Sequence, residues 1–496
     1  MKLLIAPIVA GLLAVPLTVP LAVPAAAEEA KIRWHQCQRD AEDTEGAELD
    51  QAGAECGELD VPLDYRRPDG RKITLSMSRL PATGDRIGTM LLNDGGPGGP
   101  GLGMPLRLRP AMREAGTRYD LIGLDPRFVG RSTPLDCKVP QAGWPWSAGS
   151  DRASFDRAAR LQASMAARCT ENAAEYLPHA STRETARDLD RVRSALGERK
   201  ISYLGYSYGT YLGAVYAEMF PARVDRMVLD GPLDPATYGA GMLRNAGPVN
   251  EAALRAWATW AGARHSSYGL GRTADEVLRT VRSIQRVAAE RGLRVGEHTL
   301  DDGVVPVLLF ASLGDDRDPA RAHLAGTVRT LLAATRGPVE AGEELAGLLA
   351  LLLTPALSQM VSGQLAIACA DRAVSRDLRT YWRDIQRHRQ DEPVFGSLTR
   401  APSPCAFWPT APKEQPTRVD TKVPALIVAA DGDPRTPYAN AAQLQRALRG
   451  SSVLTVTDAR KHGLFGEYGN DCVDSSVVAY LASGDLPARP VVCARS

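Results

Sequence analysis

One stretch constrains this chain more than any other: Gly205-Tyr206-Ser207-Tyr208-Gly209. The apolar run before it, Ile201 to Leu204, reads as a buried strand. After it, Leu212, Val215, Tyr216 and Met219 recur at helical spacing. A strand, a glycine-flanked turn with a central serine and a helix together project a hydroxyl from a sharp bend. Side chains at the flanking positions would fill that bend, and glycine leaves it open. Chance also produces G-x-S-x-G in a chain with 45 Gly, so a plain tight turn is the competing reading until other loops supply partners.

Two later loops do so. The strand signal Pro424 to Ala430 runs into Asp431-Gly432-Asp433-Pro434-Arg435-Thr436-Pro437, and Ser452 to Val456 runs into Asp458-Ala459-Arg460-Lys461-His462-Gly463. In an open parallel sheet, ligands bind beyond the carboxyl ends of the strands. The chain order Ser207, Asp433, His462 is that of a serine nucleophile, its orienting carboxylate and its general base. Asp433 is preferred over Asp431, which would otherwise be a solvated turn residue. The chain has seven His, and only His462 follows a late strand signal.

A glycine-rich run, Gly95-Gly96-Pro97-Gly98-Gly99-Pro100-Gly101, follows the strand Thr89 to Leu92. It lacks the G-K-[ST] and G-x-G-x-x-G spacings of phosphate loops. It reads instead as a loop whose N–H groups approach an oxyanion, with Gly96 as one donor and Tyr208 N–H as the other. Arg127 and Asp230, also in loops after strands, read as residues that order those loops.

The remaining text alternates strands and helices up to about residue 234, which argues a mostly parallel sheet flanked by helices. Strands are expected at Val61–Leu63, Ile73–Met77, Asp120–Leu124 and Arg226–Asp230, and residues 28–56 read as a polar loop. Ser181 and Glu184 form a capping box that starts a helix. Between about 235 and 420 the pattern is mostly helical, with helices expected at 252–261, 274–291, 320–334, 343–353, 358–370 and 379–388. A crossover needs only a dozen or more residues, so this reads as an inserted cap. The expected division is 28–234 for the first part of the core, 235–420 for the cap and 421–496 for the rest of the core.

Met1-Lys2, an apolar run to Val23 and Ala25-Ala26-Ala27 read as a secretory signal peptide spanning 1–27. Leu345–Leu353 is too short to span a membrane and reads as a buried helix. Net charge is +1 with acids and bases mixed, so nothing points to nucleic acid. The eight Cys lie beyond residue 27, and an even count in an exported chain implies disulfides. Pairing of sequence neighbours would give Cys37–Cys56, Cys137–Cys169, Cys369–Cys405 and Cys472–Cys493. No C-x-x-C or Cys/His spacing suggests zinc.

These segments together resemble the proline iminopeptidase-type branch of the α/β-hydrolases, and within it the secreted tripeptidyl aminopeptidases of actinomycetes. The resemblance is carried by Asn93–Gly101, Gly123–Ser132, Ile201–Phe220, Val228–Pro232, Ala366–Asp371, Asp433–Pro437 and His462–Gly463. It implies an α/β-hydrolase fold with a helical cap, and a secreted serine exopeptidase that removes short peptides from free N-termini, with no cofactor or metal. It carries the triad over to Ser207, Asp433 and His462. Asp94 stands where the family often has His, and Phe128 where it usually has Gly. Acidic residues of such enzymes hold the substrate ammonium; Asp94 and Asp371 are the candidates here. A monomer is expected, without a membrane anchor after signal cleavage, and association with the cell wall is left open. A carboxylesterase or amidase would use the same triad, and a non-catalytic binding protein would need none of it.

Overall fold

The computed structural model describes residues 31–495; the expected signal peptide lies outside them. Ten strands make one sheet: β1 (Arg33–His35), β2 (Glu55–Pro62), β3 (Lys72–Leu80), β4 (Gly88–Asn93), β5 (Tyr119–Asp125), β6 (Ile201–Tyr206), β7 (Val224–Asp230), β10 (Leu426–Ala430), β11 (Ser452–Thr457) and β12 (Val491–Ala494). A separate hairpin joins β8 (Leu293–Val295) and β9 (His298–Leu300). The sheet order is β1-β2-β3-β5-β4-β6-β7-β10-β11-β12. The strands from β5 to β12 in that order pair in parallel, and β1, β2 and β3 add an antiparallel edge.

The central strands are buried on both faces. Leu91, Ile122, Tyr203, Leu229 and Ile427 point into one core, and Met90, Leu121, Leu204, Val228 and Val428 into the other. Alternate residues serve opposite faces because side chains along a strand alternate. Such strands read as continuous apolar runs. One face is covered by helices Thr182–Ala195 and Tyr208–Met219, the other by Met104–Ala111 and Asp471–Ser483.

β7 and β10 are neighbours, Leu426 opposite Val228, yet the chain between them leaves the sheet and builds helices. Their apolar faces close over a core of their own, with Trp257, Val281, Leu308, Leu324 and Phe395 at its centre. The stretch Leu345–Leu353 was expected to be buried; in the helix Glu343–Leu353 only Leu345 and Leu349 are, and Leu351 is 45% exposed.

Several elements differ from the sequence reading. The stretch read as a loop over 28–56 holds β1 and the helix Thr44–Gln51, capped by Asp43 accepting from Gly46 N. A helix of 22 residues, Arg152–Ala173, stands where none was expected, capped by Asp151 accepting from Ser154 N. Its buried stripe is mostly small residues (Ala158, Ala159, Ala166, Ala173), so its periodicity carries a weak apolar signal. The helix Val304–Ser312 and the edge strand β12 were also unforeseen.

The four disulfides join sequence neighbours: Cys37–Cys56, Cys137–Cys169, Cys369–Cys405 and Cys472–Cys493. Closing loops of this length stabilises a fold by about 3 to 4 kcal/mol per bridge in the chain-entropy view. Such a set fits an oxidising, extracytoplasmic compartment.

Candidate active site

Ser207 follows β6 directly, at φ 53° and ψ −116°, in the strained region that a projecting turn imposes. Its N–H donates to Asp230 O at 2.8 Å, which ties the turn to the end of β7. A Cβ at Gly205 would lie 2.7 Å from Gly209 O, so the bend closes on itself and needs glycine. Tyr208 is the first residue of the following helix, so its N–H has no preceding turn to accept it.

The glycine-rich loop after β4 lies on this turn. A Cβ at Gly95 would come 3.1 Å from Ser207 Cβ and 2.5 Å from Tyr206 O. Gly96 follows directly, at φ 102°. The far end of the loop is fixed by Asp125, 1% exposed, whose Oδ1 accepts from Gly101 N at 2.7 Å and Leu102 N at 3.3 Å. Burial pushes the Asp125 carboxyl up to about 6, against the N–H groups of Arg131 and Gly101 that favour its charge. Cap helix Ser358–Asp371 crosses the same loop: a Cβ at Gly98 would be 2.7 Å from Met360 O.

Asp433 is 1% exposed. Its Oδ1 accepts from Arg435 N at 2.7 Å and Thr436 N at 3.1 Å. Its Oδ2 accepts from Thr436 Oγ1 at 2.8 Å and lies 2.8 Å from His462 Nδ1. Burial works to raise its proton affinity, but His462 and these donors outweigh it and hold the carboxyl below its ordinary range. Asp431 is exposed and accepts from Asp458 N at 2.9 Å, the part of a turn residue.

His462 is reached from both core and cap. A Cβ at Gly231, φ 68°, would stand 2.9 Å from His462 Cε1, so the chain after β7 runs against the imidazole edge. His462 N donates to Gly314 O of the cap at 3.0 Å. Asp316 accepts from Arg460 N at 2.9 Å and from the Tyr468 hydroxyl at 2.9 Å. Arg435 donates to Phe310 O and lies 3.7 Å over the Phe310 ring. Cap residues 310–316 thus brace both the Asp433 and the His462 loops. Among the described residues, no hydrogen bond within 3.5 Å joins Ser207 Oγ to His462 Nε2; such contacts are often long before substrate binds.

The two carboxylates expected near a substrate amine fare differently. Asp94, in the glycine-rich loop, is one-third exposed and pairs with Arg107, which also lies 3.2 Å from Glu467. Asp371 is 6% exposed, and both its oxygens are taken by Thr182: Oδ1 by the backbone N–H at 2.7 Å and Oδ2 by the hydroxyl at 2.6 Å. Thr182 Oγ1 also lies 2.8 Å from the Tyr208 hydroxyl. Asp371 is therefore a brace between cap helix and core, and not an open carboxylate waiting for a cation. Burial raises its carboxyl to about 7, against the Thr182 donors.

Arg127 is fully buried and forks onto Asp188 at 2.6 and 2.7 Å, with three carbonyls as further acceptors. It orders loops. Phe128 adopts φ 71° where glycine would be at ease; its ring is fully buried 5.3 Å from that of Tyr176, which offsets the backbone cost.

Sequence reasoning missed Thr436, Glu467 and Arg107. Thr436 had a signal: an Asp followed by backbone N–H groups two and three residues on is an Asx-type turn, which places residue i+3 over the carboxylate. Glu467 and Arg107 had none, because only the fold brings them to Asp94. A cavity of about 550 Å³, lined by Arg282, Arg286 and Arg389 of the cap and by Gly149, Ser150 and Asp151, shares no lining residue with the loops described above.

Residues 88–274 match the family model described as alpha/beta hydrolase fold, and residues 392–493 the one described as TAP-like protein. The chain is 34% identical over 470 residues to a tripeptidyl aminopeptidase of Streptomyces coelicolor, covering 89% of this chain and 83% of that one. It is 31% identical over 482 residues to serine protease Hip1 of Mycobacterium tuberculosis, covering 89% and 87%. It is 30% identical over 506 residues to carboxylesterase B of the same organism, covering 93% and 89%. With its parallel sheet, its serine at the strand-to-helix turn and these relatives, the chain is a serine hydrolase that belongs to the tripeptidyl aminopeptidase family of α/β-hydrolases.

Proposed function

We propose that Ser207, His462 and Asp433 are the catalytic triad of a secreted peptidase that releases short peptides from free N-termini. The observation that carries the triad is the 2.8 Å contact between His462 Nδ1 and the buried Asp433, beside the turn that presents Ser207. The Ser207 hydroxyl attacks the scissile carbonyl while His462 Nε2 takes its proton. Asp433 holds the imidazole with its Nδ1–H inward and stabilises the imidazolium. The N–H groups of Gly96 and Tyr208 receive the oxyanion; losing one such donor typically costs roughly 100- to 1000-fold in rate. His462 then protonates the leaving amine, and water, activated by the same base, releases the acyl group from Ser207. No cofactor enters this scheme.

The peptide substrate is supported by the relatives named tripeptidyl aminopeptidase and serine protease. Asp94 and Glu467, sharing Arg107, leave one net negative charge beside the glycine-rich loop, where a substrate ammonium would be favoured. The relative named carboxylesterase B supports a second reading, ester hydrolysis by the same triad. Peptide p-nitroanilides with free and acetylated N-termini separate the two. Turnover of the free form at least tenfold faster is expected for the aminopeptidase, and equal turnover refutes it. Fluorophosphonate labelling that Ser207→Ala abolishes is expected under either reading. Signal cleavage after Ala27 and release from the cell are part of the proposal; intact-mass measurement of the exported protein tests them.

A further inference from the structure

The end of β7 carries a residue that the triad scheme leaves unused. Asp230 is 0% exposed and touches both moving parts of the reaction. Its backbone carbonyl accepts from Ser207 N at 2.8 Å. Its Oδ2 accepts from Leu464 N at 2.9 Å and from Phe465 N at 2.7 Å, two and three residues beyond His462. The Phe465 carbonyl in turn accepts from the Tyr206 hydroxyl at 2.6 Å, one residue before Ser207. The next residue, Gly231, stands against the His462 ring and donates its N–H to Val428 O at 3.0 Å. We propose that Asp230 is a positioning residue for the hydrolytic reaction, fixing the serine turn and the histidine loop to one another and placing a second carboxyl group beside His462. This rests on the reading of Ser207 as nucleophile and His462 as base.

A loop staple alone would need only one oxygen. Both donors go to Oδ2, and an asparagine could receive them as well. The second oxygen, Oδ1, is buried with no hydrogen-bond partner. An unpartnered buried oxygen is costly, and a native structure that keeps one calls for a reason. The charged and titratable groups around the Asp230 carboxyl supply one. They are His462 and Asp433 from the two late loops and the Tyr206 phenol from β6. Burial raises the Asp230 carboxyl to about 7; the Phe465 and Leu464 N–H groups and His462 pull the other way, and Asp433 adds to the rise. Above neutrality Asp230 therefore becomes a second negative charge near the imidazole. It favours the imidazolium that forms when the Ser207 proton is taken. Below neutrality that charge is lost while Oδ2 can still accept from the loop.

The decisive variant is D230N, which keeps size and one acceptor and removes only the charge. It is expected to fold, with melting within a few degrees of wild type, and to be labelled by a fluorophosphonate. Its kcat falls about tenfold above neutrality with KM unchanged, and the gap to wild type closes towards about pH 6, where the wild-type carboxyl is itself protonated. D230A removes the acceptor as well, frees the histidine loop and lowers kcat about 100-fold with KM within about twofold. A ratio of D230N to wild-type kcat that does not change with pH overturns the proposal, as does a D230N protein that does not fold or whose KM rises at constant kcat. Wild-type protein that is neither labelled nor active on peptides or esters overturns the triad reading itself, which is a different result.

Discussion

Two buried aspartates, one in the core and one in the cap, show how position decides what a carboxyl group does. Asp433 and Asp371 are both at least nine-tenths buried. Asp433 sits in a turn after β10 that aims two backbone N–H groups and a hydroxyl at it, with an imidazole on its remaining side. Those partners outweigh burial, and the group stays charged. Asp371 ends a cap helix, where the backbone N–H groups are already used by the helix itself. Its donors within about 3 Å are the N–H and hydroxyl of Thr182 in the core, and burial raises it to about 7 against them. Partners, the imidazole of His462 before the hydrogen-bond donors, and not burial alone, separate a charged carboxylate from a near-neutral brace.

The comparison can be broken most severely at Asp433. Asp433→Asn keeps the shape but not the charge, and kcat should fall about 10⁴-fold, the scale known for this loss in other triads. A loss under tenfold in peptide or ester turnover would remove Asp433 from the triad. Next in size, replacing both Cys369 and Cys405 by Ser frees the end of the helix that carries Asp371. Stability should fall by about 3 to 4 kcal/mol in urea unfolding, with labelling of Ser207 retained in the folded protein. Thr182→Val removes the hydroxyl from Asp371 Oδ2 and from Tyr208, and should cost about 1 to 3 kcal/mol.

The subtler test is Asp371→Asn followed against pH. The folded-state value near 7 lies above the unfolded value of 3.8, so the folded form holds the proton more tightly. Wild-type stability from this group is therefore greatest in acid and is lost as pH rises towards 7. The Tm of D371N relative to wild type should shift in the variant's favour between about pH 4 and pH 8, by a few degrees. A constant difference would mean that Asp371 is ionised throughout. Smallest of all, Asp431→Asn should change kcat/KM less than about twofold, as expected of an exposed turn residue.

Much of the core could be read along the chain because its signals are local. Strands buried on both faces are continuous apolar runs, and the serine turn needs its glycines within two residues. Half of the capping box at Ser181 forms: its hydroxyl accepts from Glu184 N at 3.3 Å, while the Glu184 carboxylate turns to Arg187 at 3.3 Å instead of back to Ser181 N. The cap helix Ala274–Arg291 is amphipathic, so its period shows. Arg152–Ala173 escaped because a stripe of alanines gives little contrast, and β1 and β12, at 3 and 4 residues, are too short for alternation to appear.

What the sequence alone determined is the order of chemistry-bearing residues: a serine turn, then a carboxylate loop, then a histidine loop, each after a strand. A parallel sheet must bring such loops to one end, so their meeting follows from topology. Tertiary structure alone decided which carboxylates keep their charge. It buried Asp371 against Thr182, gave Asp94 an arginine shared with Glu467, and set Asp230 between Ser207 and His462. Proton affinity depends on burial and on donors far apart in the chain, and neither can be read from local pattern.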